Sequence, residues 1–248
     1  MFTTEFIMLI NTDKFKYRRI LLKVSGEIFG KNDSSNININ IINNFLKEIK
    51  SISRLGIQIG LVIGGGNIVR GSDISNFGID RVVCDYMGML STIINGLALS
   101  NILNNSSVNS YLMSSIPIDG ICHTYDYFKA IDLLIKNFIV IFVGGIGNPF
   151  FTTDSAACLR GIELNADIIL KGTKVDGVFS ADPFISPNAI LYDKLSYSEI
   201  LNLNLKIMDS TALIMAKEHK LPIRIFNINS KGVIKRIIMG ENVGTLIY

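Results

Sequence analysis

The chain has 248 residues, 48% of them hydrophobic and 18% charged. This length and apolar content suit one large domain or two small ones and exclude a disordered, collagenous or coiled-coil chain. The formal net charge of +3 is too small to predict a nucleic-acid or membrane surface. The three cysteines show no C-x-x-C spacing, which predicts free thiols in a reducing cytoplasm rather than a disulfide framework.

The first 16 residues carry acidic side chains and lack a basic region before a long apolar run, so we expect no signal peptide. The longest apolar runs, such as 138–143, are strand-sized and far below the roughly 18 residues of a membrane-spanning helix. The sequence therefore predicts a cytoplasmic chain without a transmembrane segment.

The first half of the chain alternates β-rich runs with amphipathic stretches of helical length. In chain order, the pattern predicts a strand at 19–24, a helix at 38–55 closed by Gly56, a strand at 57–63, a long helix at 81–104, a strand at 108–113, a helix at 127–136 and a strand at 138–143.

The second half repeats this alternation. It predicts a helix at 153–165, a strand at 167–170, a long polar loop, a helix at 208–219, a strand at 223–226 and a hairpin or strand ending at 246–247. No linker rich in proline, glycine or serine divides the halves. We expect an α/β fold in one domain, with two lobes that share a mainly parallel sheet covered by helices on both faces.

Three predicted strands end in glycine-rich turns, at Ser25-Gly26, at 64–67 and at 144–149. The carboxyl ends of parallel strands face one crevice, where glycine lets the backbone approach phosphates and helix N-termini supply N–H donors. Any one loop is equally well explained as a tight turn, but three together favour a site for several phosphates. Neither G-x-x-x-x-G-K-[ST] nor G-x-G-x-x-G is present, so the pattern is that of neither a P-loop enzyme nor a Rossmann dehydrogenase.

Basic residues stand at the same strand ends. Lys23 precedes the first loop, Arg70 follows the second, and Lys171 ends the strand after the third. Phosphoryl transfer needs charge neutralisation and alignment more than covalent chemistry, which such cations supply.

Four aspartates accompany these cations: Asp85, Asp154, Asp182 and Asp209. Asp154 and Asp209 stand at predicted helix starts, where capping and a functional role are equally good explanations, and one carboxylate can do both. The two histidines have neither metal-ligand spacing nor a G-x-S-x-G neighbour, so zinc and hydrolase chemistry are not indicated.

Four stretches carry a resemblance to a known family: 17–27, 62–71, 80–89 and 147–154. They resemble bacterial uridylate (UMP) kinases of the amino acid kinase fold, and the likeness extends from about Tyr17 to Ile247. It implies a three-layer αβα sandwich with residues 17–248 as the kinase domain and 1–16 as an N-terminal extension. The implied reaction is the reversible transfer of the ATP γ-phosphoryl group to UMP, giving UDP and ADP.

The resemblance also implies roles for individual residues. Lys171 is added to the catalytic residues because it stands at the end of a predicted strand. The expected catalytic residues are Lys23, Asp209, which would orient Lys23, and Lys171. ATP would contact Lys23, Val24, Ser25, Gly26, Gly66, Arg70, Thr173, Phe179 and Asp182. UMP would contact Gly65, Asp85, Ile146, Gly147, Asn148, Pro149, Phe150, Phe151, Thr152 and Thr153. Mg²⁺ would enter bound to ATP, with no dedicated protein metal cage.

Regulation is where the chain departs from the resemblance. The family implies a homohexamer activated by GTP, with UTP as a candidate feedback inhibitor. The segment 31–36, which is linked to the GTP response, lacks its glycine, and two effector-site arginines align with Tyr111 and Phe138. We therefore predict weak or no activation by GTP. Ile146 replaces a usual threonine, which predicts a modestly higher Michaelis constant for UMP.

Two alternatives stay open at this point. Another amino acid kinase, acting on a carboxylate such as that of aspartate or acetylglutamate, would share the first two loops but not the Asp85 helix or the 148–154 stretch. A non-catalytic nucleotide-binding protein would keep the loops without turnover.

Overall fold

The computed structural model describes residues 15–29, 39–69, 78–205 and 207–248. Its strands are β1 (Arg19–Val24), β2 (Gln58–Ile63), β3 (Ser110–Ser114), β4 (His123–Thr124), β5 (Ile139–Val143), β6 (Ile168–Thr173), β7 (Val178–Phe179), β8 (Leu191–Tyr192), β9 (Lys194–Leu195), β10 (Ile223–Asn227) and β11 (Thr245–Ile247). Its α-helices are α1 (Ile39–Ser53), α2 (Arg81–Asn105), α3 (Tyr127–Ile135), α4 (Thr153–Glu163), α5 (Tyr197–Asn202), α6 (Ser210–Glu218) and α7 (Val233–Ile238), with a 3-10 helix at Gly26–Phe29.

Within the described residues, nine strands form one sheet in the order β4-β3-β5-β2-β1-β6-β10-β11-β9. Every neighbouring pair is parallel except β10–β11. Strands β7 and β8 form a separate antiparallel hairpin. The near-continuous apolar character of β1, β2 and β5 is what a parallel strand buried on both faces requires. The prediction of a mainly parallel sheet is confirmed.

The core lies on both faces of this sheet, because side chains alternate along each strand. In β1, Ile20, Leu22 and Val24 enter a core built with α1, α2 and α7. Leu21 enters the opposite core, built with α3, α4, α5 and α6. The expected three-layer αβα sandwich in a single domain is therefore confirmed.

The long predicted elements are present with small shifts at their ends, but short elements were missed. The predicted polar loop after residue 170 was wrong in part: β6 continues to Thr173, and β7, β8, β9 and α5 follow. The helix α7 was also not predicted. The missed elements have two to six residues, and their sequences carry no clear period that would mark them as strands or helices. The capping box of α5, with Ser196 and Glu199, was the one local signal present.

Helix α2 bears on the prediction that the chain has no transmembrane segment. Among the described helices, it is long and apolar enough by length and composition to cross a membrane, although no uninterrupted run in it has that size. Ile93, Leu99 and Leu103 pack into the core on the sheet, and the buried Thr92 and Asn95 hydrogen-bond to loops at the sheet edge. These contacts are those of a core helix in a globular domain.

Candidate active site

The three glycine loops lie side by side, because β5, β2 and β1 are neighbours in the sheet and run parallel. The first glycine loop, at Ser25-Gly26, and the second, at 64–67, approach each other very closely. A Cβ at Gly26 would lie 2.6 Å from the Gly64 carbonyl oxygen and 2.5 Å from Asn67 Oδ1. A Cβ essentially never comes this near, so Gly26 allows the two backbones to share one crevice. The predicted convergence of the loops is confirmed for the described residues.

Helix α2 holds the second and third loops in place. Asn95 Nδ2 donates to the Gly64 carbonyl at 2.8 Å and to Asn67 Oδ1 at 2.7 Å, and both asparagines are buried. Thr92 Oγ1 accepts the Gly144 N–H at 2.8 Å. A polar group buried without a partner is costly, so these bonds fix the loop backbone against the helix.

The same helix explains the glycine at position 65. A Cβ at Gly65 would lie 2.7 Å from Ser91 Cβ and 2.8 Å from the Gly88 carbonyl oxygen, both on α2. The second loop therefore lies against the helix at a distance that only glycine permits.

Two buried lysines share one carboxylate beside the loops. Lys23 and Lys171 are register partners on β1 and β6. Asp154 Oδ1 lies 2.6 Å from Lys23 Nζ, and Asp154 Oδ2 lies 2.7 Å from Lys171 Nζ. All three residues are buried, and Lys171 also donates to the Ile207 carbonyl.

The charges of this trio shift its pKa values. Burial alone would raise the pKa of Asp154, but the two ammonium groups outweigh it and hold that pKa below the usual 3.8. Burial and the neighbouring Lys23 lower the pKa of Lys171, with Asp154 opposing the change. The trio is thus a positive cluster kept charged by one carboxylate, at the position where phosphates are expected.

Asp209 lies at the starts of two helices. Its carboxylate caps α6 by accepting the Ala212 N–H at 2.8 Å, and it also accepts the hydroxyls of Thr152 and of Ser155, the latter at 2.9 Å. Within the described residues, the recorded ion-pair partner of Lys23 is Asp154. In the described residues Asp209 ties the start of α4 to the start of α6, and the role of orienting Lys23 that the resemblance implied stays a prediction.

A cavity of about 240 Å³ opens between the second loop, α2 and the start of α4. Among the residues expected to contact UMP, Gly65, Asp85, Phe151, Thr152 and Thr153 line it. Other lining residues are Gly66, Val69, Cys84, Gly88, Met89, Thr92 and Gly145. The cavity combines backbone, hydroxyl and carboxylate groups with an apolar wall, which suits a polar small molecule.

Asp85 projects from the first turns of α2 to this cavity. Its carboxylate accepts the Phe150 N–H at 2.8 Å and pairs with Arg81 Nε at 2.9 Å. Phe150 has a positive φ of 70°, and the Arg81 guanidinium lies 5.7 Å from its ring centroid. The third loop and α2 are therefore joined through Asp85. Ile146, Gly147, Asn148 and Pro149 belong to the same loop but are not among the residues lining the cavity.

Several residues expected to contact ATP follow the two strands that carry the lysines. Ser25 and Gly26 follow β1, and Thr173 ends β6 next to it. Lys174 Nζ lies 2.8 Å from Glu27 Oε2, which joins the loop after β6 to the 3-10 helix after β1. Phe179 pairs with Leu191 in the β7–β8 hairpin, and Asp182 accepts the Phe184 N–H in the following turn. Arg70 lies outside the described residues.

Comparisons with known proteins agree with this geometry. A family model described as "Amino acid kinase family" matches residues 18–227. A protein named uridylate kinase from Baumannia cicadellinicola is 57% identical, with 94% of this chain and 93% of that protein covered. A uridylate kinase from Klebsiella pneumoniae is 54% identical, with coverage of 93% and 96%. This chain belongs to the uridylate kinases of the amino acid kinase family.

Solved structures support the same assignment. The UMP kinase of Bacillus anthracis superimposes with a TM-score of 0.90 at 42% identity, over 93% of this chain and 96% of that one. The UMP kinase of Ureaplasma parvum gives 0.87 at 39% identity, with coverage of 93% and 98%. The fold and sheet topology of this uridylate kinase are thus shared with solved members of its family.

In this uridylate kinase, Asp154 is the site residue that sequence reasoning undervalued. The sequence left capping and function equally weighted, whereas Thr152 is the N-cap of α4 and leaves the Asp154 carboxylate to bridge the lysines. The sequence alone could not choose between the two residues, because threonine and aspartate are both preferred N-cap residues. Thr92 and Asn95 were also missed, and their only signal was polarity within an apolar helix.

Proposed function

We propose that this uridylate kinase transfers the γ-phosphoryl group of ATP to the phosphate of UMP, giving ADP and UDP. The observation that carries the proposal is the Lys23–Asp154–Lys171 trio, in which Lys23 directly precedes the first glycine loop and Asp154 directly follows Thr152 and Thr153, which line the acceptor cavity. ATP and UMP together carry about five or six negative charges into one crevice. Buried cations offset that charge.

Positioning dominates the proposed mechanism. The phosphate of UMP is already ionised at neutral pH, so it attacks without a general base, and the reaction needs alignment of the attacking and leaving oxygens. Lys23 and Lys171 stabilise the charge on the transferred group, while Asp209 fixes the Thr152 and Ser155 hydroxyls at the start of α4. The N-terminus of α4 adds its backbone N–H groups to the acceptor side.

The expected substrate contacts are proposed with the roles that the resemblance implied. The UMP ribose hydroxyls bind Asp85, whose present partners, Arg81 and the Phe150 N–H, hold its carboxylate at the cavity. The remaining UMP contacts are Gly65 and the segment 146–153. The ATP contacts are Lys23, Val24, Ser25, Gly26, Gly66, Arg70, Thr173, Phe179 and Asp182.

The metal of the reaction arrives with the nucleotide. Mg²⁺ dehydrates reluctantly and is usually held by phosphate oxygens, waters and one or two carboxylates. Among the described residues, no group of three or more histidine, cysteine, aspartate or glutamate side chains is arranged to hold a metal ion. Asp154 and Asp209 are two carboxylates close enough to Lys171 for their charges to raise its pKa. Bound Mg²⁺ would neutralise charge on the ATP phosphates.

Regulation by GTP is proposed to be weak or absent, with UTP as a candidate feedback inhibitor. Tyr111, one of the two residues in place of the family's effector arginines, stacks on His123 with ring centroids 4.4 Å apart. Phe138, the other, packs against the core. Neither offers a guanidinium to grip a phosphate. Turnover measured with and without GTP at fixed ATP and UMP tests this, and a several-fold rise would contradict it.

A homohexamer is proposed as the assembly, and the outer face of α2 supports self-association. This face exposes a stripe of large apolar side chains at helical spacing, each more than a third exposed: Val82, Val83, Tyr86, Leu90, Ile94 and Leu97. Contiguous exposed apolar patches of this kind mark protein contacts. Light scattering should show a smaller particle for Leu90→Glu and an unchanged one for Asn202→Glu, an exposed polar position on α5.

Domain boundaries and location are proposed as the sequence predicted them. Residues 17–248 form the kinase domain, with 1–16 as an extension. A cytoplasmic location suits the three unpaired cysteines, two of them buried.

Release of ADP tests the function. The enzyme should release ADP with UMP as acceptor, and Lys23→Ala should lower the rate about 10³-fold because a charge at the transferred group is lost. Lys136→Ala, at an exposed ion pair on α3, is the matched control and should keep full activity. Faster release with CMP, aspartate or acetylglutamate than with UMP would replace the proposal by another kinase activity. No release with any acceptor would favour a non-catalytic nucleotide-binding protein.

A further inference from the structure

Arg160 lies in α4, nearly two turns after the site residues at the start of that helix, with only 5% of its surface exposed. Its Nη1 donates to Glu163 Oε2 at 2.5 Å, and its guanidinium lies 3.5 Å from the ring centroid of Tyr125. The Tyr125 hydroxyl also donates to Glu163, at 2.6 Å. Within the described residues, Arg160 Nε has no partner. Burying a guanidinium is costly, and these contacts hold it in one orientation.

That orientation directs the second arm of the guanidinium to a serine. Arg160 Nη2 donates to Ser115 Oγ at 3.0 Å, and Ser115 Oγ lies 2.8 Å from the Gly145 carbonyl oxygen. A guanidinium has donors only, so the serine oxygen accepts from Arg160. Its single proton is then left for the Gly145 carbonyl. The direction of the chain from Arg160 through Ser115 to Gly145 is therefore determined by chemistry.

The third glycine loop needs such a support. Gly144, Gly145 and Gly147 have φ values of 74°, 58° and 87°. Glycine adopts positive φ at little cost, but because its backbone is flexible it does not hold the loop in this conformation by itself. Gly145 lines the acceptor cavity. In a trans peptide, the carbonyl and the next N–H point in opposite directions. Holding the Gly145 carbonyl on Ser115 turns the Ile146 N–H away from Ser115, and that N–H has no recorded partner within the described residues.

We infer that Arg160 and Ser115 are positioning residues for the phosphoryl acceptor, which fix the Gly145–Ile146 peptide so that Gly145 keeps its place in the wall of the cavity that takes UMP. The inference rests on the proposed function for the identity of the acceptor. Neither side chain lines the acceptor cavity. Arg160 acts through Ser115, and Ser115 acts through the loop backbone.

Ser115→Ala is the leading test, because it removes one hydroxyl with little change in volume. The KM for UMP should rise about 5- to 10-fold, the value of one backbone hydrogen bond, with the KM for ATP unchanged within twofold. Arg160→Lys should act in the same direction, because an ammonium cannot reach Glu163 and Ser115 with one planar fork. The double variant should equal Ser115→Ala alone within twofold, since both act through one hydroxyl.

Tyr125→Phe is the matched control. It removes a hydroxyl from the same network at Glu163 but leaves the link from Arg160 to Gly145, so its KM for UMP should match that of the wild type. An unchanged KM for UMP in Ser115→Ala, an equal rise for ATP, or effects of the two variants that multiply would each overturn the inference.

A second measurement separates this inference from the proposed function. In the ligand-free enzyme, amide hydrogen exchange in residues 144–149 should be faster in Ser115→Ala than in Tyr125→Phe, because the loop has lost its support. Equal exchange in the two variants overturns the positioning role even if UMP is the acceptor. Absence of UMP phosphorylation by the wild type overturns the proposed function, and the exchange result then still decides whether Arg160 and Ser115 support the loop.

Discussion

Replacing Asp154 by asparagine removes the one carboxylate that two buried lysines share. Lys23 and Lys171 project from neighbouring strands, about 4.8 Å apart in a sheet. In the wild type, the two Asp154 oxygens lie 2.6 and 2.7 Å from their ammonium groups. In Asp154→Asn, the lysines keep their burial and lose this compensation.

The expected loss of stability follows from that arrangement. Two ammonium ions about 5 Å apart repel each other by about 3 kcal/mol at an effective dielectric constant of about 20. Removing one partner of a buried ion pair costs about 3–5 kcal/mol in measured cases. We therefore expect the free energy of unfolding of Asp154→Asn to be about 3 kcal/mol lower than that of the wild type at pH 7.

The pH dependence gives a second test with a definite sign. In the wild type, burial and Lys23 lower the pKa of Lys171 from 10.5, and Asp154 opposes that shift, so the variant should have a still lower pKa. Above this pKa the folded variant carries one proton fewer than the unfolded chain, so its stability rises with pH and the repulsion disappears. The stability difference should therefore be smaller at pH 9 than at pH 6.

Urea unfolding at pH 6, 7 and 9 measures these differences. Asp132→Asn is the control, because Asp132 belongs to an exposed i,i+4 pair with Lys136 on α3 and should change stability by less than about 0.5 kcal/mol. A loss below about 1 kcal/mol for Asp154→Asn, or a loss that grows from pH 6 to pH 9, would refute the account of the trio.

Three further outcomes are expected. Gly65→Ala should abolish most activity and lower the melting temperature, since its Cβ would lie 2.8 Å from the Gly88 carbonyl oxygen, and unaltered kinetics would contradict the close approach. A thiol reagent such as DTNB should modify the half-buried Cys122 in the native enzyme and Cys158 only after unfolding. The reason is that burial raises the pKa of the Cys158 thiol to about 12. Equal rates of modification of the two thiols in the native enzyme would count against this. Asp85→Asn should raise the KM for UMP about 10-fold or more and leave the KM for ATP nearly unchanged, because one side of a charge-assisted hydrogen bond is lost. A rise in the KM for ATP alone would be the contrary result.

Regular elements and glycine loops could be predicted because their signals are local. A run such as Arg19–Val24 carries its own apolar pattern, and the prediction for that strand agrees with the structure at both ends. The turns at Ser25-Gly26 and Gly64–Asn67 could be placed at one crevice because parallel strands end on the same edge. Short elements such as Val178–Phe179 are defined by pairing with another strand, here Leu191–Tyr192, and two residues carry no such pattern.

Side-chain partnerships could not be predicted in the same way. Lys23 and Asp154 are 131 positions apart in the sequence, and which carboxylate contacts the lysine depends on how α4 packs against β1 and β6. The sequence by itself determined the longer strands of the sheet, the glycine loops and the residue types available for phosphate chemistry. Only the tertiary structure decided that Thr152 caps α4, that Asp154 bridges both lysines and that Asp209 holds the starts of two helices. Capping and ion pairing draw on the same carboxylates, and three-dimensional packing alone selects between them.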